Sequence, residues 1–253
     1  MGIIEAANQH TRDLSESPPS VGVATHATAA VGFAIGGMLR FLSHAETLRV
    51  FQRACARAHV PVKHTEGFNP HPKLSLPLPR PVGVASDDEL LVLRLFDERG
   101  IPWDESDASA GRPWHDRMQQ SLAAVLPREI ELRSTALMKS NASFEPESAD
   151  YMFAVQPVQG GDPADPLRDR IVRLLAHESV IVERISPSHR EGRRIDVRGF
   201  LKSIRTEGDR VVVACRTGAG GSIRVDEIMS LLGVGPADLA GPVRRLNVTW
   251  KIT

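Results

Sequence analysis

The sequence has little that would cross-link it, anchor it or charge it as a whole. Only two of its 253 residues are cysteine, Cys55 and Cys215, far apart and in no C-x-x-C spacing. That excludes a disulfide framework and a thiolate metal site, and it points to a reducing compartment. No apolar run approaches the roughly 18 residues of a membrane-spanning helix. Lys+Arg and Asp+Glu balance at 31 each, so whole-chain charge selects no partner and any electrostatic signal must be local. The opening MGIIEAANQHTRDLSESPPSVG lacks a basic stretch followed by an apolar core. Ala6 stands where a myristoylation site wants Ser or Thr. These absences lead to the expectation of a soluble, cytoplasmic protein with no membrane partner, no resident metal and no cofactor.

What is present reads as alternating elements. Residues 1–28 are small and polar with Pro18-Pro19 and are expected to form a disordered tail. VGFAI (31–35) is a strand, Gly36-Gly37 a turn, and MLRFL (38–42) continues extended. Ser43-His-Ala-Glu46 is a capping box opening a helix to about Ala58. PVKHTEG (61–67) reads as a second strand, LLVLRLF (90–96) as a third, WHDRMQQSLAAVLP as a helix and EIELRSTALM as a fourth strand. The order β-α-β-β-α-β is the ferredoxin-like pattern. KSNASFEPESA reads as a linker, and the order then repeats: YMFAVQP, the helix DPLRDRIVRLLAHE, SVIVERIS, a hairpin over RRIDVRGFLKSIRTEGDRVVVACRTG, the helix VDEIMSLLG ended by Gly233, and RRLNVTWKI. The expected architecture is α+β: two tandem ferredoxin-like (βαββαβ) domains with antiparallel sheets. Residues 29–140 form the first, 141–149 a linker and 150–253 the second.

Chemistry concentrates between Arg40 and Arg80, where seven Lys/Arg meet two Glu in a chain of zero net charge. Arg49, Arg53 and Arg57 recur at i, i+4, i+8 and share one helix face. Either an anionic partner or plain solvation would support that face. Arg40, Ser43, His44 and Lys73 join it as candidates for phosphate or anion binding, because the first helical N–H groups near Ser43 and His44 also favour an anion. GFNPHPK (67–73) follows. Asn69 and His71 each precede a proline and are held extended, and Pro70 and Pro72 fix their own φ. Gly67, Phe68, Asn69, Pro70, His71 and Pro72 are therefore read as a preorganised recognition loop. Leu74, Leu76 and Leu78 alternate with Ser75, Pro77 and Pro79 as a non-aggregating edge strand. His44 and His71 are weak candidates for general acid–base work. In the second half Arg194, Arg198 and Lys202 would share a strand face, a second basic cluster. The Gly-rich RTGAGGSIR (216–224) serves either as an anion loop or as a hairpin-to-helix turn.

LRFLSHAETLRVFQRACARAHVPVKHTEGFNPHPKLSLPLPRPVGVASDDE, residues 39–89, resembles the DUF2344 family, also called radical SAM-linked proteins. That family's pattern runs through RFLSH, a basic helix, GFNPHPK and a proline-rich PLPVG stretch. The later RRIDVRGFLKSIR and GAGGSIRVDEI fit it too, so the resemblance covers most of residues 30–250. The chain departs from the pattern at AIGG, at Thr65-Glu66 and at Glu46. The resemblance implies a radical SAM partner and an RNA context, and it assigns no reaction. The chain has no C-x-x-x-C-x-x-C and cannot ligate the radical SAM cluster itself. Three functions follow as expectations. The first is a non-catalytic RNA-binding or substrate-presenting accessory to a separately encoded radical SAM enzyme. The second is a metal-independent RNA-processing or RNA-modifying enzyme using His44 or His71. The third is a protein–protein adaptor without RNA.

Overall fold

A computed structural model describes residues 27–95, 114–139, 141–156, 164–186, 189–218 and 220–253. Of the tail expected over residues 1–28, residues 1–26 lie outside them, as does the loop ESDASAGRP, while Ala27 and Thr28 already belong to the first strand. Within the described residues the fold is mixed α+β with mostly antiparallel strand pairing. The chain divides into two compact units. The first takes in the described residues to Val82, with Ser86–Glu145 and Trp250–Thr253, and the second takes in Gly83–Ala85 and Pro146–Thr249.

The first unit is built around β1 (Ala27–Ile35), buried over its whole length. β3 (Ala85–Leu95) pairs with one edge of β1 (Val31↔Leu91) and β4 (Ile130–Lys139) with the other (Val31↔Thr135). A two-residue β2 (Leu74–Ser75) pairs with β3 (Leu74↔Leu93). The strand order is therefore β4-β1-β3-β2. Because strand side chains alternate, Ala29, Val31, Phe33, Leu91, Leu93 and Leu95 face a core shared with α1 (His44–Arg57) and α2 (Trp114–Val125). Ala30, Leu90 and Val92 face the other way, against Phe144, Trp250 and Ile252. Burial on both faces is why LLVL (90–93) reads as an unbroken apolar run. Phe51 of α1 meets Phe33 edge-on at 4.7 Å.

The second unit runs β5 (Phe144–Ala154), α3 (Ala164–Ala176), β6 (Ile181–Ser186), β7 (His189–Asp196), β8 (Leu201–Glu207), β9 (Arg210–Arg216), α4 (Val225–Leu232) and β10 (Arg244–Ile252). Its sheet order is β10-β5-β9-β8, while β6 and β7 form a separate two-stranded ribbon. Phe153, Val211, Val213, Ile228 and Leu232 are buried. Gly233 ends α4 at φ +66, a conformation that a side chain resists, with the Arg170 guanidinium lying where a Cβ would point. Arg245, almost fully buried, donates to the Tyr151 hydroxyl at 3.2 Å.

Four expectations need correction. Residues 38–42 do not stay extended: Gly37–Phe41 is a 3-10 turn, entered through Gly37 at φ +52. Residues 61–67 make only isolated bridges, Val62↔Leu95 and His64↔Pro72, and the paired strand is the short β2 beyond the prolines. Residues 144–149, expected in a linker, open strand β5. RRID does not belong to the hairpin that turns at Gly208; it lies in β7 and pairs with β6 (Glu183↔Arg194). Only β8 and β9 make that hairpin.

The ribbon is fastened to α4 by one ion pair. Arg184 Nε and Nη2 donate to the two Glu227 carboxylate oxygens at 2.6 and 2.8 Å, and Nη2 also reaches the Ser222 carbonyl at 2.6 Å. Burial opposes the charged form of Glu227, but hydrogen bonds from Arg184 and from the Arg224 N–H hold its carboxyl below the ordinary 4.5. The stabilisation is therefore complete above about pH 4.5 and is lost as pH falls through the lowered folded value. Glu227→Gln is expected to lower the unfolding free energy near neutral pH by about 1–3 kcal/mol in urea melts. Wild type should lose more stability than this variant on acidification, so equal losses would show that the pair contributes nothing.

Candidate functional site

Ser43 and Glu46 start α1 as a reciprocal cap. Ser43 Oγ accepts from the Glu46 N–H at 3.3 Å, and Glu46 Oε2 accepts from the Ser43 N–H at 2.8 Å and its hydroxyl at 2.6 Å. The Ser43 side chain bond is the main cause holding the Glu46 carboxyl below its ordinary value, with Arg49 a smaller contributor. The serine hydroxyl is thus spent on the cap. Thr47, Phe51, Ala54 and Cys55 face the core, and Arg49, Arg53 and Arg57 are all exposed. Among the described residues none of the three arginines makes a side-chain hydrogen bond or ion pair. Burial pushes the Cys55 thiol up to about 12, which removes it as a nucleophile.

The segment after α1 is an arm that leaves the β3 edge and returns to it. The Lys63 N–H donates to the Arg94 carbonyl at 2.7 Å and the Arg94 N–H to the Lys73 carbonyl at 2.9 Å. The Lys73 N–H donates to the Lys63 carbonyl at 2.6 Å and the Thr65 N–H to the His71 carbonyl at 2.8 Å. The His71 N–H closes the ladder on Thr65 Oγ1 at 2.9 Å. Pro70 and Pro72 have no N–H and leave no orphan donor on the returning side. Gly67 takes the bend at φ +123. Glu66, Gly67, Phe68, Asn69, Pro70 and His71 are exposed, and Phe68 is fully so at 106%. Pro72 and Lys73 are half-buried at the base. The loop is therefore rigid at its root and presents its aromatic at the tip.

The 3-10 turn before α1 rests on Arg80, a residue that sequence reasoning did not single out. Its buried guanidinium donates to the carbonyls of Arg40 (2.6 Å), Leu42 (3.2 Å) and Leu39 (3.4 Å). Arg40 reaches the Gly37 carbonyl at 2.6 Å and lies over the Phe41 ring, 4.3 Å from its centroid. Behind the turn His44 lines a recess with Phe33, Thr47, Leu76, Arg80 and Glu89. The recess has room for about one water and for no nucleotide. His44 Nδ1 is buried there without a protein partner. His71, at the exposed arm, lines no part of the recess. The two histidines considered for acid–base work therefore do not meet there. Among the described residues no three His, Cys, Asp or Glu are grouped to hold a metal.

The second basic cluster does not form the expected strand face. Arg194 lies in β7, Arg198 in a 3-10 turn (Arg198–Phe200) and Lys202 in β8. Arg198 spends its guanidinium on the carbonyls of Leu175 (2.9 Å), His177 (3.0 Å) and Leu201 (3.2 Å), so it caps the C-terminal end of α3. Lys202 Nζ reaches Ser148 Oγ at 3.5 Å, and only Arg194 stands exposed without such a bond. Just after the Gly-rich stretch, the Arg224 N–H at the start of α4 already has an acceptor in Glu227 at 2.8 Å.

The chain belongs to the family described as "Uncharacterized protein conserved in bacteria (DUF2344)", whose model matches residues 29–225. No curated protein matches it. Among solved structures, the regulatory subunit of aspartate kinase from Thermus thermophilus in its ligand-free form is 13% identical, covering 78% of this chain and 89% of that one. Its TM-score is 0.22, a likeness too low to carry any argument about this chain.

Arg80→Met should strand the carbonyls that the guanidinium gathers. The expected cost is about 1–3 kcal/mol in chemical unfolding, and Arg80→Lys should restore only part of it, because one ammonium lacks the planar fork. Full stability in Arg80→Met would mean that the turn does not need this anchor.

Proposed function

We propose that this DUF2344 protein is a non-catalytic RNA-binding module that presents RNA, or a substrate carried on RNA, to a separately encoded radical SAM enzyme. One observation carries the reading: Arg49, Arg53 and Arg57 stand exposed in a row, among the described residues without a side-chain hydrogen bond or close ion pair, on a capped helix whose opposite face is locked in the core. Like charges at i, i+4 weaken an isolated helix by a few tenths of a kcal/mol per pair. A polyanion converts that repulsion into attraction. In this reading the row and Lys73 hold phosphates, with Arg40 at the helix start. The rigid arm offers Phe68 for stacking and Asn69 and His71 for hydrogen bonds, at small entropic cost because its backbone is already tied.

The same reading takes each unit as a ferredoxin-like domain. The strand orders β4-β1-β3-β2 and β10-β5-β9-β8 support it, the second with the β6–β7 ribbon inserted after α3. The radical SAM cluster would be ligated by the partner, in keeping with a sequence that has two cysteines, both buried as free thiols. It sets the protein in the cytoplasm, in keeping with those thiols; among the described residues no helix is long and apolar enough to cross a membrane.

Fluorescence anisotropy with a short single-stranded RNA at several salt concentrations tests the proposal. Wild type should bind with log K falling linearly in log[salt], and the RNA should be recovered intact. Arg49→Ala/Arg53→Ala/Arg57→Ala should bind more weakly, with a slope shallower by about 2 if each arginine meets one phosphate. Cleaved or altered RNA whose turnover needs His44 or His71 would favour an enzyme instead. No salt-dependent binding by wild type would leave the adaptor as the better reading.

A further inference from the structure

We propose that Arg40 and Phe41 form a nucleobase-stacking platform at the start of α1, and that the RNA it takes is single-stranded there. The inference rests on the RNA reading above and adds a contact that the basic row does not require. Phe41 is 48% exposed although it sits on a turn that is firmly built. Arg80 holds the turn from beneath through three carbonyls, and Gly37 and the Ser43 cap hold its two ends. Arg40 lies over the ring at 4.3 Å with its Nη1 fixed on the Gly37 carbonyl.

An exposed phenyl ring carrying a cation is a poor match for an apolar protein groove, which would have to strip water from the guanidinium. It suits a base and its phosphate, because the base stacks on a π-face while the cation meets the backbone charge. The position supports the same occupant. Ser43, two residues on, caps the helix that bears Arg49, and six helical residues span about 9 Å, so the platform and the start of the arginine row lie near one another along the helix axis. A duplex cannot use it, because its bases are stacked inside and A-form grooves offer edges and backbone rather than base faces.

Anisotropy with a single-stranded RNA and with a duplex of equal length tests the platform. Phe41→Leu keeps an apolar side chain on the turn and removes the π-face, and Phe41→Tyr keeps the ring. Phe41→Leu should weaken single-strand binding by roughly 5- to 150-fold, the range for one aromatic–base stack. Its salt slope and duplex affinity should stay at wild-type values, and Phe41→Tyr should bind like wild type. Thermal unfolding of each variant confirms that the turn is intact. Unchanged single-strand binding by Phe41→Leu overturns the platform and leaves the arginine row standing. Equal weakening for single strand and duplex also overturns it, since that marks a general disturbance of the turn. If wild type binds no RNA, the platform and the reading beneath it fail together.

Discussion

A guanidinium taken out of water must be given acceptors, and Arg80 finds them in the backbone of the turn that precedes α1. That single requirement organises the candidate site. It draws the carbonyls of Leu39, Arg40 and Leu42 toward one point, which fixes the 3-10 turn and the path into the Ser43 cap. Phe41 is left exposed on that turn, with half-buried Arg40 over its ring. Arg80 also lies within the proline-rich stretch that follows the arm, so that stretch and the helix start are tied to one buried side chain.

Local charge acquires a different meaning once each cation is placed. Of the seven basic residues from Arg40 to Arg80, Arg80 is internal and Arg40 is committed to Gly37 and Phe41. Lys63 and Lys73 are half-buried at the root of the arm. What remains in full contact with water is the helical row. Its strength lies in geometry, because the three positions share one face of a helix that cannot rotate away from its core contacts with Phe51 and Cys55. The second unit uses two of its arginines differently: Arg184 and Arg198 join elements to one another.

Sequence reading succeeded where one local interaction decides the structure. The Ser43–Glu46 cap, the stop at Gly233 and the two-faced apolar run in β3 all follow from residues within a few positions of each other. It failed where a distant partner decides. MLRFL carries an apolar pattern that suits an extended strand, and nothing nearby reveals that Arg80 will gather its carbonyls. The alternation of Arg194, Arg198 and Lys202 suggested one strand face, yet the side chain of Arg198 is long enough to reach the end of α3 from a turn. PVKHTEG has strand-like residues, but the prolines that follow displace regular pairing to Leu74–Ser75. Phe41 was legible only as one letter of a motif, since its stacking on Arg40 depends on the turn.

β1 also sets the order in which the first unit can be assembled. Ala27 pairs with Leu95 on one side and Lys139 on the other, so the strand synthesised first needs partners synthesised much later. Contacts so far apart in sequence are slow to form, because the chain between them must lose its freedom before any pairing is gained. During synthesis the AAVGFAI stretch therefore waits with both faces and both edges unsatisfied. Even when α2 and β4 have emerged, the Ala30 face still waits for Phe144 and Trp250, so the nascent chain carries exposed apolar surface until its last strand is made.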